Sequence, residues 1–582
     1  MKKNWRTLLR HFTTSFLGMT VRNKKQTRFP VRKIKVNQAG YVPFEKKVFF
    51  YTAGAESFEG IVFEIIRASD GKVFQGQLGK AVLDNDSGDR NYSGDFSFLT
   101  EPGNYTIKIG AEESHPFEIT GQKYLNLFYV TMRSYYLQRC GMEIHDTISG
   151  VSYAACHLDD SYPDNNPLGP RMDTTGGWHD AGDYGKYIPT AAVTVAQLLL
   201  MYELSPETFA HFSLDIPRTK NDQHLSDILA EIKYELDWML KMQDGSDGGV
   251  YYKVTSHKFP PMDLAPEDDD VEIRYYYSKG TAVTANFAGA IAIAARVYEK
   301  KDPEYAQRLK KAAIQAGDFL IKSTSEVLIP STGGIGAYQT TSVKDDLCWA
   351  YAELYRLTEK RDYLDMALQY WEANFVPVIT WDNVSFLAVY TLLSYSGTPV
   401  NLREEWRSGM IQWAKSIRPR INSNGYRVAL VWSEYVWSSN KTVLAYGVTF
   451  ILIQKLLGEL EFEDEIQFSL DYVLGVNPLS KVYITKVGTD YVRHPHNRIV
   501  ESKRILIPGL LVGGPNNKAE DGLYPRDLGP KGYIDVTGAC SCNENAIDYN
   551  APLVFITGYL WMKMEIKRKI GSLPEGQQTR TM

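Results

Sequence analysis

Two textures follow one another along the chain. Over residues 31–120 the apolar positions come in short runs: KIKVNQAGYV, KKVFFYTA, FEGIVFEIIRA, GKVFQGQL, GDFSFL, GNYTIKIG and SHPFEIT. Each is rich in Val, Ile, Phe or Tyr, and Gly, Asp, Asn and Pro separate them, which is the pattern of strands and turns. So many short strands predict a β-sandwich of immunoglobulin type. The Cys–Trp–Cys pattern of antibody domains is absent from this stretch.

After Tyr124 the period changes. Apolar residues recur at i, i+3, i+4 and i+7, the stripe of an amphipathic helix. Helices are expected near 125–139, 187–204, 225–243, 281–299, 304–322, 344–357, 362–375, 385–395, 403–416, 441–458, 464–474 and 547–567. The run AVTANFAGAIAIAARVY (282–298) is apolar nearly all round, as a helix buried on every side would be. Helices in sequential pairs predict a closed all-α (α/α)6 barrel, because an open solenoid would carry a repeated consensus at fixed period. The organisation expected is a basic tail over 1–30, the sandwich over 31–120, the barrel over 121–570 and a polar tail over 571–582. Long loops at 140–186, 244–280 and 475–546 are the places to look for function.

Bulk properties narrow the classes. The 582 residues are 44% hydrophobic and 23% charged, values of a globular protein, with a formal net charge of −5 that argues against nucleic acid as a partner. No run reaches the length of a membrane span. Five cysteines are too few, and odd in number, for a disulfide framework. The 38 Tyr and 11 Trp against 24 Phe suggest surfaces that need an apolar body with a polar tip. A monomer is expected. The start lacks the uninterrupted apolar core of a secretory signal, which points to the cytoplasm.

The loops hold the candidate chemistry. GGWHDAGDYGKY (176–187) places Asp180 and Asp183 three apart on a glycine-rich turn. Two such carboxylates repel, so one is held protonated unless hydrogen bonds or a cation compensate. They fit a grip on a metal or on a water, and equally a helix N-cap before KYIPTAAVTVAQLLL. CNENAIDYNAPLV (542–554) sets Glu544 between two asparagines before an apolar helix, either as a proton donor or as a carboxylate favoured by the helix dipole. YVRHPHNR (491–498) alternates Arg493, His494, His496 and Arg498 without a glycine-rich phosphate cradle. TWDN and EYVWSSN add Trp381 and Trp437 as sugar platforms.

Together these stretches resemble glycoside hydrolase family 9, the inverting cellulase family, in its subgroup with an N-terminal immunoglobulin-like domain. The ordered landmarks are VNQAGYVP, QRCG, CHLDD, GGWHDAGDYGKY, YVLGVNPLS, HPHNR, PGLLVGGPN and NENAIDYNAPLV. The resemblance implies that Asp183 is the general base, Asp180 its partner in holding the attacking water, and Glu544 the general acid. It implies that His496, Arg498 and Tyr549 line the sugar site. Inverting hydrolysis needs base and acid about 6.5–9.5 Å apart to admit the water, so Asp180 and Asp183 are not the acid/base couple.

The resemblance also implies two metals. Cys140, Cys156, His157 and His179 would hold a structural zinc, although their spacing is not that of a zinc finger. Asp345, Asp346 and Asp382, with a carbonyl such as that of Thr341, would hold calcium; the alternative is an acidic pair at a helix start. No organic cofactor is implied. The acidic loop PEDDDVE (266–272) reads as a solvated rim. Cys540 and Cys542, beside the acid, depart from the family pattern. The expected activity is an endoglucanase on cellulose, β-glucan or cellodextrins. The alternatives are an exo-acting cellodextrinase, an exo-β-glucosaminidase and a non-catalytic carbohydrate-binding protein. Polymer hydrolysis would place the protein outside the cell.

Overall fold

The computed structural model describes residues 31–571 apart from positions 55, 270–271, 324–334, 339, 373–375 and 459–460. The tails expected over 1–30 and beyond 571 lie outside the described residues.

The N-terminal unit is an antiparallel sandwich. Its strands are β1 (Ile34–Lys35), β2 (Val48–Ala53), β3 (Val62–Arg67), β4 (Val73–Leu83), β5 (Arg90–Asp95), β6 (Gly103–Ile109), β7 (Glu112–Glu113) and β8 (Phe117–Ile119). They order as β1-β2-β5-β4-β3-β6-β7, with β8 also on β6. The first part of β4 pairs with β3 and the last part with β5, and the register shifts between Leu78 and Ala81. A bulge of this kind bends a strand from one layer to the next. Alternate residues point inward, so Tyr105, Ile107 and Ile109 of β6 join Phe49, Phe63, Ile65 and Phe117 in one core. The run GDFSFL is not itself a strand. The fifth strand ends at Asp95, and Gly94 lies within it because a Cβ there would stand 2.1 Å from the Phe49 ring. Gly94 is a packing glycine inside the strand, not a boundary.

The rest is helical. The long helices are α1 (Lys123–Tyr136), α2 (Ile188–Leu204), α3 (Asp227–Lys241), α4 (Thr281–Tyr298), α5 (Pro303–Lys322), α6 (Lys344–Thr358), α7 (Arg361–Gln369), α8 (Ser385–Ser394), α9 (Val400–Ser423), α10 (Ser439–Leu457), α11 (Glu463–Val473) and α12 (Ile547–Gly571). The even-numbered helices pack in the cyclic order α2–α4–α6–α8–α10–α12–α2, and odd-numbered helices cover them from outside. This is the expected (α/α)6 ring. Inner α2 and α4 are buried almost throughout, whereas outer α5 and α7 bury one stripe. Contrary to the reading of the sequence, α4 is long and apolar enough to cross a membrane, with a mean hydropathy of 1.2, but 89% of it is buried in the ring. Its composition answers to neighbours on all sides rather than to lipid.

The segments that lead into α2, α6 and α12 meet, since Tyr338 bonds Asp180 and Gly182 bonds Glu544. The sandwich docks on the barrel through Val48 and Phe50 against Val476. Polar contacts flank this patch. The Asn37 amide donates to Asp471 at 2.6 Å, and Gln38 bonds the carbonyl of Ser480 and the N–H groups of Thr489 and Asp490.

Candidate active site and metal cluster

The turn bearing Asp180 and Asp183 is fixed from behind. The Trp178 backbone N–H donates to Glu235 at 2.6 Å, and its indole N–H donates to Glu231 at 2.9 Å. Arg139 grips the same Glu231 with two nitrogens. Such a bidentate pair is strong and directional. Burial raises the Glu235 carboxyl to about 8, against the pull of the Trp178 N–H. Neither aspartate caps α2, whose N-cap is Tyr187. The capping alternative is excluded by position.

Asp180 is buried and fully engaged. One oxygen accepts from the Thr190 hydroxyl, and the other accepts from the Tyr338 hydroxyl at 2.5 Å. Burial, with the charges of Asp548 and Asp183, holds its carboxyl well above the usual range, and the two hydroxyls oppose this. Asp183 is 6% exposed and one of its oxygens accepts from the Gly185 N–H at 3.2 Å.

Glu544 comes from the far end of the chain. It lies in extended conformation three residues ahead of α12, and Asp548 rather than Glu544 occupies the first helical turn. The flanking asparagines position it. Asn543 accepts from Tyr533 and donates to the His494 carbonyl, while Asn545 donates to Gln138 and accepts from Asn497. One Glu544 oxygen accepts from the Gly182 N–H at 3.2 Å. Burial and then the Asp183 charge push its carboxyl up to about 8. A buried carboxyl raised in this way keeps its proton to higher pH than an ordinary glutamic acid does.

The HPHNR stretch runs alongside. The His496 Nδ1–H donates to the Thr537 carbonyl at 2.7 Å, which leaves Nε2 as the acceptor of a neutral ring. Burial lowers the His496 pKa and favours that neutral form. Arg498 is 5% exposed, and its guanidinium donates to the carbonyls of Pro260 and Gly182. It therefore holds the aspartate turn in place. Arg493 and His494 offer their backbone N–H groups to Asp535. Tyr549 is buried, whereas Trp437 is 36% exposed. Trp381 packs edge-on against Tyr338 at 5.0 Å. Tyr338 and Thr190, which hold Asp180, carried no signal that sequence reading could have used.

Cys140, Cys156, His157 and His179 bring their ligand atoms within 4.8 Å of one another. The edges are 3.5 Å from Cys140 Sγ to His157 Nδ1, 3.7 Å from Cys156 Sγ to His179 Nε2, and 3.4 Å between the two nitrogens. A tetrahedron with metal–S of about 2.3 Å and metal–N of about 2.05 Å has S···N edges of about 3.6 Å and an N···N edge of about 3.3 Å. The donor set thus fits a tetrahedral ion of intermediate softness. Among the described residues it is the only such group of three or more His, Cys, Asp or Glu. Asp345 instead accepts the Val384 N–H, Asp346 accepts from Asn286, and Asp382 accepts from Thr380. Asp345 and Asp346 occupy the first turn of α6.

A family model described as glycosyl hydrolase family 9 matches residues 124–557, and a cellulase N-terminal ig-like domain matches residues 30–114. The chain belongs to glycosyl hydrolase family 9. Endoglucanase D of Acetivibrio thermocellus is 31% identical over 541 residues, covering 90% of this chain and 82% of that one. A metagenome-derived glycoside hydrolase family 9 endoglucanase superposes with a TM-score of 0.85 at 38% identity, over 91% of this chain and 98% of that one. A Zn-binding triple mutant of the family 9 endoglucanase J30 superposes with a TM-score of 0.82 at 32% identity, over 89% and 99%. This family 9 chain is thus a glycoside hydrolase built as a sandwich on an (α/α)6 barrel.

Proposed function

We propose that this family 9 enzyme is an inverting endo-β-1,4-glucanase acting on cellulose, β-glucan or cellodextrins. Asp183 is the general base, Asp180 its partner on the water, and Glu544 the general acid. The observation that carries the reading is the Gly182–Glu544 hydrogen bond, which brings the two carboxylate-bearing turns together. In the reaction Asp183 takes a proton from a water that attacks the anomeric carbon. Glu544 gives its proton to the departing glycosidic oxygen on the opposite face. Asp180, fixed by Thr190 and Tyr338, keeps the water on line. The free Nε2 of His496 accepts a sugar hydroxyl, and Trp381, Trp437 and Tyr549 form apolar sugar contacts.

The cysteine–histidine cluster is proposed as a structural zinc site. When bound, the ion would supply a rigid cross-link between His179, next to Asp180, and the loops of Cys140 and His157. It has no step in the chemistry.

Cellohexaose hydrolysis tests the main reading. Early internal products in the α-anomeric form, absent in Asp183→Asn and Glu544→Gln, are expected. Release of glucose or cellobiose from one end would make the enzyme exo-acting, and no cleavage would exclude a cellulase.

A further inference from the structure

The acidic loop expected to be a solvated rim is tied to the metal cluster. His157 points Nδ1 at Cys140 and His179, and its Nε2 lies 3.2 Å from Oδ2 of Asp269. Both side chains are buried, at 0% and 5% exposure. The other histidine of the cluster differs: His179 Nδ1 is buried without a hydrogen-bond partner among the described residues. Only one of the two imidazoles thus has an anion behind it.

The loop that delivers Asp269 reaches the active site at three further points. The Pro260 carbonyl accepts from Arg498, which also holds Gly182. The Leu264 carbonyl accepts from Tyr184 at 2.7 Å, and Glu267 pairs with Lys503. A metal-bound histidine whose second nitrogen donates to a carboxylate is fixed in tautomer and orientation and is the more basic ligand.

We infer that Asp269 is a positioning residue for the metal, orienting His157 and making the loop over 257–269 depend on the bound ion. The inference rests on the zinc site proposed above. Without the ion, the reason for His157 to hold this orientation goes, and with it the contact that ties the Asp269 end of the loop to the barrel, while those of Pro260, Leu264 and Glu267 stay. Asp269 touches neither substrate nor metal.

The test uses the full chain. Zinc content of the wild type is measured first, then zinc affinity by competition with a chromophoric chelator for wild type, Asp269→Asn and Asp269→Glu. The substitution to Asn is expected to weaken zinc binding by about 10–100-fold, and Glu to restore part of it. Limited trypsin digestion reads the loop, because the Lys258 side chain is 82% exposed. Cleavage after Lys258 is expected to quicken both in Asp269→Asn and in chelator-treated wild type. Lys503→Met, which cuts one of the three other loop contacts, is expected to leave zinc affinity unchanged. Wild type with zinc and an Asp269→Asn variant of equal affinity would overturn the role of Asp269 alone. Wild type with no zinc would overturn the metal site as well.

Discussion

The backbone N–H of Gly182 donates to Oε1 of Glu544 at 3.2 Å, across 362 positions of sequence. The contact is so close that a Cβ on Gly182 would stand 2.1 Å from the His496 carbonyl oxygen and 2.9 Å from the Glu544 carboxylate. Gly182→Ala must therefore push the aspartate turn away from Glu544. A displacement of about 1 Å at a reacting centre costs on the order of 100-fold in rate. The variant is expected to keep its far-UV circular dichroism and lose activity to that extent in steady-state assays.

The proposed role of Glu544 carries a pH limit. If Glu544 is the general acid it acts only when protonated, and burial pushes its carboxyl up to about 8 from the usual 4.5. Activity should fall as pH rises through about 8, on a profile measured with a soluble cello-oligosaccharide. The same shift acts on stability with the opposite sense to an ordinary salt-bridged carboxylate. Between the unfolded and folded values the folded state binds the extra proton, so stability declines as pH rises through that window. Glu544→Gln should abolish this term. Its melting temperature is expected to exceed that of the wild type at pH 8 and to match it more closely at pH 5.

Asp180 owes its orientation to two hydroxyls. Tyr338→Phe removes the 2.5 Å bond to one oxygen while keeping the ring that meets Trp381. If Asp180 steers the water, kcat should drop by about 10-fold, which corresponds to about 1.4 kcal/mol. KM should change little, because the hydroxyl is spent on Asp180. A change confined to KM would place Tyr338 in sugar binding.

The sandwich supports the barrel through buried contacts. Deleting residues 1–120 would expose Val476 and strip Asp471 of its Asn37 partner; burial holds that carboxyl up near 6. The truncated protein is expected to melt several degrees lower, since each lost kcal/mol moves a large domain by about 2–4 °C. Unchanged melting and activity would show the sandwich to be dispensable.

Much of the fold was legible in the chain because burial writes itself as periodicity. An inner helix such as α4 must be apolar all round, and an outer one such as α5 carries a single stripe. Errors fell where one residue serves two purposes. Gly94 sits inside a strand because Phe49 covers it, yet glycine also marks strand ends. The motif residues were visible by type, and the cysteine–histidine set converges as the family resemblance implies.

The sequence by itself determined the period of each element, the succession of sandwich and barrel, and which residue types were available for chemistry. Only the tertiary structure decided what they meet. It made Arg498 a brace on Gly182, gave Asp180 its Thr190 and Tyr338 partners, and placed Asp269 behind His157. Periodicity is set by each residue's own burial, a local property of the chain. A carboxyl's ionisation and a ligand's orientation are set by neighbours within a few ångströms, and ring closure brings these from positions hundreds apart.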